Sequence, residues 1–301
     1  MNNWSRIRHM DRPMHGNTAI KCWKHANVAE FKEITVREMK YCYDHQIKIN
    51  ENIRYLSSVE KTNSVAAILN GNTDYTEDDV TYVINDAGFR SNCQINQDSS
   101  LTLGVFGCSF TFGVGMPAQD IYPYLFGNHL GCIVHNYGVP GGGIDRATRY
   151  YSHVSKYQKF DYVIFLVPHT GRMELPKIGG FDEVYSLNVI PNWVSTNKTD
   201  KEQAERIYAA LDDNFFEFTT LKNIDQCVGI AKAHNTKIYF SSWDIPTYDL
   251  LYDYLGEDSG MLLPEFTTEW NNNQTKRARD GVHPGPRAHQ DFFNRSLPYL
   301  K

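Results

Sequence analysis

The chain of 301 residues is poor in the features that would place it in several large classes. It has six cysteines, at 22, 42, 93, 108, 132 and 227, scattered and with no Cys-x-x-Cys pair. That spacing argues against a disulfide framework and a zinc ribbon, and points to a reducing compartment. No uninterrupted apolar run approaches the length of a membrane span, and Met1-Asn-Asn-Trp-Ser-Arg-Ile-Arg8 lacks the apolar centre of an export signal, so a soluble, cytoplasmic protein is expected, with no membrane partner. A formal charge of -5 disfavours nonspecific binding to nucleic acid. The chain also lacks internal repeats and low-complexity tracts. Gly113-Val-Gly115 and Gly141-Gly-Gly143 complete neither Gly-x-Gly-x-x-Gly nor a Walker lysine, so no nucleotide cofactor is expected.

The length suits one substantial α/β core with an added subdomain, or two modest domains. Residues 28–57 carry apolar side chains at Val28, Phe31, Val36, Met39, Tyr43, Ile47 and Ile53 with charges between, a pattern of one or two amphipathic helices. We therefore expect an N-terminal helical extension over 1–79, ending in a loop before a short strand around Thr81 to Ile84. Over 80–301, four buried strands are expected at Leu101 to Phe106, Cys132 to Asn136, Tyr162 to Val167 and Lys237 to Ser241, with helical patterns between several of them, as a parallel sheet requires. An insertion around 172–236 separates the last two. Its first half, Ile178 to Val194, reads as a loop and a candidate substrate lid or a surface excursion. Its second half opens with the capping-box pattern Thr199-Asp-Lys-Glu202 and continues helically towards Asn235, with breaks near Thr219.

Chemistry concentrates at two places. The strand ending in Phe106-Gly107-Cys108 is followed at once by Ser109, where a hydroxyl can stand at a strand end or serve as a helix N-cap. Near the C-terminus, Asp280-Gly-Val-His283-Pro places a carboxylate three residues before an imidazole, so Asp280 can orient His283 locally. A serine hydroxyl needs a neutral imidazole to take its proton, and that imidazole needs a carboxylate to fix its tautomer. Each piece alone also fits an ordinary polar turn.

Taken together the blocks resemble the SGNH (GDSL-type) hydrolase superfamily. Gly107-Cys108-Ser109-Phe110-Thr111-Phe112-Gly113 is similar to its first block, with Cys108 where aspartate is usual. Asn136-Tyr-Gly-Val-Pro-Gly141-Gly-Gly143 is similar to the second, and Asp280 to Pro284 to the last. Ile84 to Arg90 is similar to a segment that often precedes the serine strand in extended members. The resemblance implies a three-layer, flavodoxin-like α/β sandwich around a parallel sheet. It also implies a Ser109, His283, Asp280 triad without a cofactor, and an oxyanion hole of the Ser109 and Gly141 backbone N–H groups. One block departs: after Asp161 to Val167 comes Pro168-His169-Thr170-Gly171-Arg172, with Thr170 where the family's third donor, an asparagine, is expected. Thr170, His169 or Arg172 could supply that contact. Removing one oxyanion donor typically costs about 10²–10³ in turnover.

The expected activity is hydrolysis of a small acyl ester, acetyl on a carbohydrate being the class the resemblance favours. An O-acyltransferase, or a degenerate member that only binds, remains an alternative. His283 and His289 with Asp280 and Asp291 match no common zinc spacing, and no metal is expected. Of the aromatics, Trp243, just past the fourth strand, is best placed to meet a substrate.

Overall fold

In the computed structural model, the residues described are 52–56, 58–84, 89–90, 101–179, 183–189, 198–267 and 277–300. The helices expected over 28–51 lie outside them. At the end of that stretch, Asn52–Ile53 forms a strand, β1, rather than helix, pairing antiparallel with β2, Tyr82–Val83. Ile53 is thus held by a ladder formed with residues far along the chain, a long-range pairing that a local helical period does not report. Between the two strands runs helix α1, Ser58–Leu69. Leu56, Val80, Tyr82 and Ile84 pack with Phe112 and Val114, so this segment shares a core with the turn that carries Ser109.

The centre is a parallel sheet of β3 (Thr102–Gly107), β4 (Ile133–Gly138), β5 (Tyr162–Val167) and β8 (Lys237–Ser242), in the order β4-β3-β5-β8. Their near-continuous apolar runs suit strands buried on both faces. Side chains alternate between two cores. Phe106, Phe165, Val167 and Phe240 meet Tyr150 and Val154 of α4 (Ile144–Val154), and Ile224 and Cys227 of α6 (Asp213–His234). Leu103, Val105, Ile164 and Tyr239 meet Tyr122 and Phe126 of α3 (Tyr122–Leu130), and Phe292 of α8 (Pro286–Ser296), the helix that follows α7 (Ile245–Leu255). The result is three layers, as expected.

The chain leaves β3 for β4 on one side and then crosses to β5 on the other, so strand order reverses at β3. The carboxyl edge beside that reversal is where open α/β sheets bind ligands.

Within the stretch read as a loop from Ile178, the described residues are instead the end of one strand and the whole of a second, β6 (Met173–Gly179) pairing antiparallel with β7 (Glu183–Val189). Pro176 and Gly179 weaken the strand signal in sequence, while cross-strand pairing supplies what propensity does not. Residues 190–197 lie outside the description. Helix α5, Lys198–Ala210, begins one residue before Thr199. The break before α6 falls at Leu211 and Asp212, not at Thr219, because the Asp212 side chain accepts the Phe215 N–H at 2.9 Å and caps the new helix. Among the described residues no helix is long and apolar enough to cross a membrane.

Candidate active site

Ser109 opens a one-turn helix, α2 (Ser109–Phe112), directly after β3. It is the first helical residue; Cys108, fully buried, occupies the cap position and makes no side-chain cap hydrogen bond there. The turn is pressed between its neighbours. A Cβ on Gly138 of β4 would lie 2.8 Å from the Thr111 carbonyl carbon, and one on Gly107 would lie 2.7 Å from the Leu166 oxygen of β5. Only glycine admits these backbones so close. Asn136 fastens the same turn: its Nδ2 donates to the Thr111 oxygen at 2.7 Å, and its Oδ1 accepts the Gly138 N–H at 2.9 Å. Ser109 is largely buried, at 7% exposure.

The Asp280 to His283 turn is equally defined. Asp280 Oδ1 accepts the backbone N–H groups of Val282 (3.1 Å) and His283 (3.0 Å), while Oδ2 lies 2.6 Å from His283 Nδ1. Burial alone would raise the Asp280 carboxyl, but the His283 charge and these hydrogen bonds outweigh it and hold it below the ordinary aspartate value. An ionised carboxylate at Oδ2 requires the proton on Nδ1, which leaves Nε2 of a neutral ring as an acceptor. Gly281, at φ +67°, makes the turn, and its Cα side sits so close to α1 that a Cβ would come within 2.7 Å of Ala67 Cβ.

The two turns are packed against each other. Arg279 N–H donates to the Gly115 oxygen at 2.8 Å, and the His283 ring meets the Phe110 ring edge-on at 5.8 Å. No hydrogen bond joins Ser109 to His283. Asp280 and His283 are therefore brought together, and His283 lies beside the residue that follows the serine.

Of the expected oxyanion donors, the backbone N–H groups of Ser109 and Gly141 have no acceptor among the described residues. Gly141, at φ +75°, lies in the loop after β4. The loop after β5 meets that loop, since a Cβ on Gly143 would press on the Arg172 carbonyl. Within it, His169 Nδ1 accepts the Gly171 N–H at 2.9 Å, so a neutral His169 carries its proton on Nε2. The Thr170 hydroxyl has no hydrogen-bond partner among the described residues. Trp243 stands 5.0 Å from Phe110, and the Arg172 guanidinium lies 5.0 Å from the Trp243 ring centroid. Arg172, Trp243, Phe110 and His283 thus form one continuous wall.

His289 is not part of that wall. It is buried in α8, where its Nδ1 accepts the Tyr122 N–H at 3.3 Å, and burial, with the charges of Arg90 and His283, pushes it down to about 3. Among the described residues no group of histidine, cysteine and carboxylate side chains could hold a metal ion.

Sequence reading missed the braces behind the site. Buried Arg90 donates to the carbonyls of Phe112 (2.9 Å), Gly113 (2.6 Å) and Met116 (2.6 Å), fixing the end of the serine turn. Arg279, next to Asp280, donates to Glu60 at 2.9 Å and to the Val80 carbonyl at 2.9 Å. Tyr82 links the two systems: its hydroxyl donates to Glu60 at 2.6 Å and accepts the Gly115 N–H at 2.7 Å.

No family model matches the chain, and no curated protein matches it. Solved structures do resemble it. TesA is 15% identical, with 66% of this chain and 98% of that one covered at a TM-score of 0.44. The psychrotrophic esterase EstA from Pseudoalteromonas sp. is 10% identical over 67% of this chain and 97% of that one, at 0.41. The acetyl xylan esterase Est2A from Butyrivibrio proteoclasticus is 15% identical over 68% and 66%, at 0.37. At such identities and scores, roles for individual residues have to come from the site itself.

Proposed function

We propose that this chain is a serine esterase that removes a small acyl group, with acetyl on a carbohydrate as the first class to test. The observation that carries the reading is the Asp280 and His283 pair at 2.6 Å, set by a turn that holds the imidazole in the tautomer a general base needs. In the proposed cycle, His283 Nε2 takes the Ser109 hydroxyl proton as Oγ attacks the ester carbonyl carbon. The oxyanion is received by the unclaimed N–H groups of Ser109 and Gly141, with the Thr170 hydroxyl as third donor. His283 then gives the proton to the departing alcohol, and water, deprotonated by His283 in turn, releases the acid from the acyl-serine. The missing Ser109 to His283 hydrogen bond is compatible with this cycle, because such contacts tighten in the substrate complex. No step calls for a cofactor.

Purified protein is expected to hydrolyse a short-chain aryl ester, and Ser109→Ala and His283→Ala each to abolish nearly all of it, since triad members act as a unit. Equal background rates in wild type and both variants would leave a protein that binds without catalysing. Preferential transfer of the acyl group to an added sugar hydroxyl would instead identify an O-acyltransferase, which needs the same three residues.

A further inference from the structure

Arg172 lies over the Trp243 ring, yet no carboxylate among the described residues answers its charge. It makes no side-chain hydrogen bond and no ion pair among the described residues, although its Nε and Nη1 are buried. The charges around it are already committed. Glu174 takes Arg146 Nε at 3.0 Å and Arg149 Nη2 at 2.6 Å. Asp145 turns one oxygen to the Arg146 N–H at 2.8 Å and the other to the Glu174 N–H. These contacts also clamp the base of the hairpin to α4, so Arg172 is held by a fixed frame. The buried Trp243 Nε1 beside it is likewise without a partner. Buried polar groups are almost always hydrogen-bonded, and a half-buried guanidinium without an anion is the exception that a ligand explains.

We infer that the ester accepted by this site carries a carboxylate, bound by Arg172 with Trp243 at the far end of the wall that leads through Phe110 to His283. The inference rests on the esterase reading for its catalytic part and on Arg172 alone for its binding part. One unit of positive charge matches a carboxylate; a phosphate monoester, at about -1.5 to -2, would call for a second cation, and Arg146 and Arg149 are occupied by Glu174. A guanidinium also offers coplanar N–H groups that fit the two oxygens of a carboxylate.

The test compares para-acetoxybenzoate with its neutral methyl ester in wild type, Arg172→Gln and Arg172→Lys. Wild type is expected to prefer the carboxylate in kcat/KM. Arg172→Gln should cut that preference by about 10- to 100-fold, through KM, and Arg172→Lys should restore part of it. A preference unchanged in Arg172→Gln overturns the inference. So does an equal fall in kcat for both esters at constant KM, which would make Arg172 an oxyanion donor. Calorimetry with para-acetamidobenzoate and its methyl ester separates the two claims. Should no ester be turned over, the esterase reading fails, and the inference still stands or falls on whether the wild type binds the carboxylate amide and Arg172→Gln loses that binding.

Discussion

Replacing Asp280 by asparagine is the sharpest test of how the candidate base is held. Oδ1 of Asp280 accepts two backbone N–H groups, so an asparagine oxygen can stay there and keep the turn. Its amide nitrogen then takes the place of Oδ2, 2.6 Å from His283 Nδ1. Two donors cannot face one another. The imidazole responds by moving its proton from Nδ1 to Nε2, the atom that has to accept from Ser109. Losing a charge-assisted hydrogen bond and opposing the useful tautomer together cost about 3 to 5 kcal/mol, or roughly 10² to 10⁴ in kcat, with little change in KM.

Stability responds differently. Despite burial, Asp280 has its carboxyl lowered in the folded chain by His283 and the turn hydrogen bonds. A lowered folded-state value contributes stability that is present above the ordinary aspartate range and lost as pH falls through the folded value. Asp280→Asn should therefore be less stable than wild type at neutral pH by about 1 to 2 kcal/mol, with the gap narrowing in acid. Nitrogen-15 spectra of the imidazole report the tautomer directly, whether or not the protein is active, and urea titrations report stability. A variant with His283 still protonated at Nδ1, or with kcat within about tenfold of wild type, would refute the reasoning.

Thr170→Val should lower turnover on an aryl ester with KM unchanged, since a third oxyanion donor acts only as charge develops; unchanged kcat would move that role to His169 or Arg172. Glu60→Ala leaves fully buried Arg279 without its carboxylate and should cost about 3 to 5 kcal/mol in urea unfolding. Burial lowers His289 to about 3 and His135 to about 4, so the stability due to their neutral forms is full above the unfolded value and lost as pH falls towards the folded ones. Near pH 5 the two together should contribute roughly 2 to 3 kcal/mol per pH unit, and His289→Asn, which keeps an acceptor for the Tyr122 N–H, should remove about half of that contribution.

What could be read in the sequence was local. The four sheet strands are apolar runs bounded by glycine and polar turns, and each lies within about two residues of its expected bounds. Asp280 and His283 are three residues apart, so their contact follows from the turn alone. The misread strands are cases where a pairing partner decides, whereas the misplaced helix break reflects a local cap at Asp212. Ile53 enters a strand because of Tyr82, and the hairpin after Arg172 exists because Lys177 faces Tyr185. Arg279 carries no local signal of its role, because its carbonyl and carboxylate partners lie 199 to 225 residues upstream. No window of sequence contains both ends of such a contact.

Those same long-range contacts bear on how Ser109 and His283 keep their relation. The sheet positions the serine turn, but the turn bearing His283 arrives after β8 and, among the described residues, no strand leads into it. It is tied instead to residues 52–84. Arg279 enters that segment and meets Glu60, Tyr82 joins Glu60 to the Gly115 N–H, and Arg90 grips the carbonyls of Phe112, Gly113 and Met116 on the serine side. A displacement of about 1 Å between reacting groups can cost on the order of 10²-fold in rate, so this wiring stands in for the rigidity that a strand would otherwise give. Residues 52–84 thereby do more than pad the core: through Glu60 and Tyr82 they brace the direct contacts, Arg279 N–H to the Gly115 oxygen and His283 to Phe110, that join the two turns.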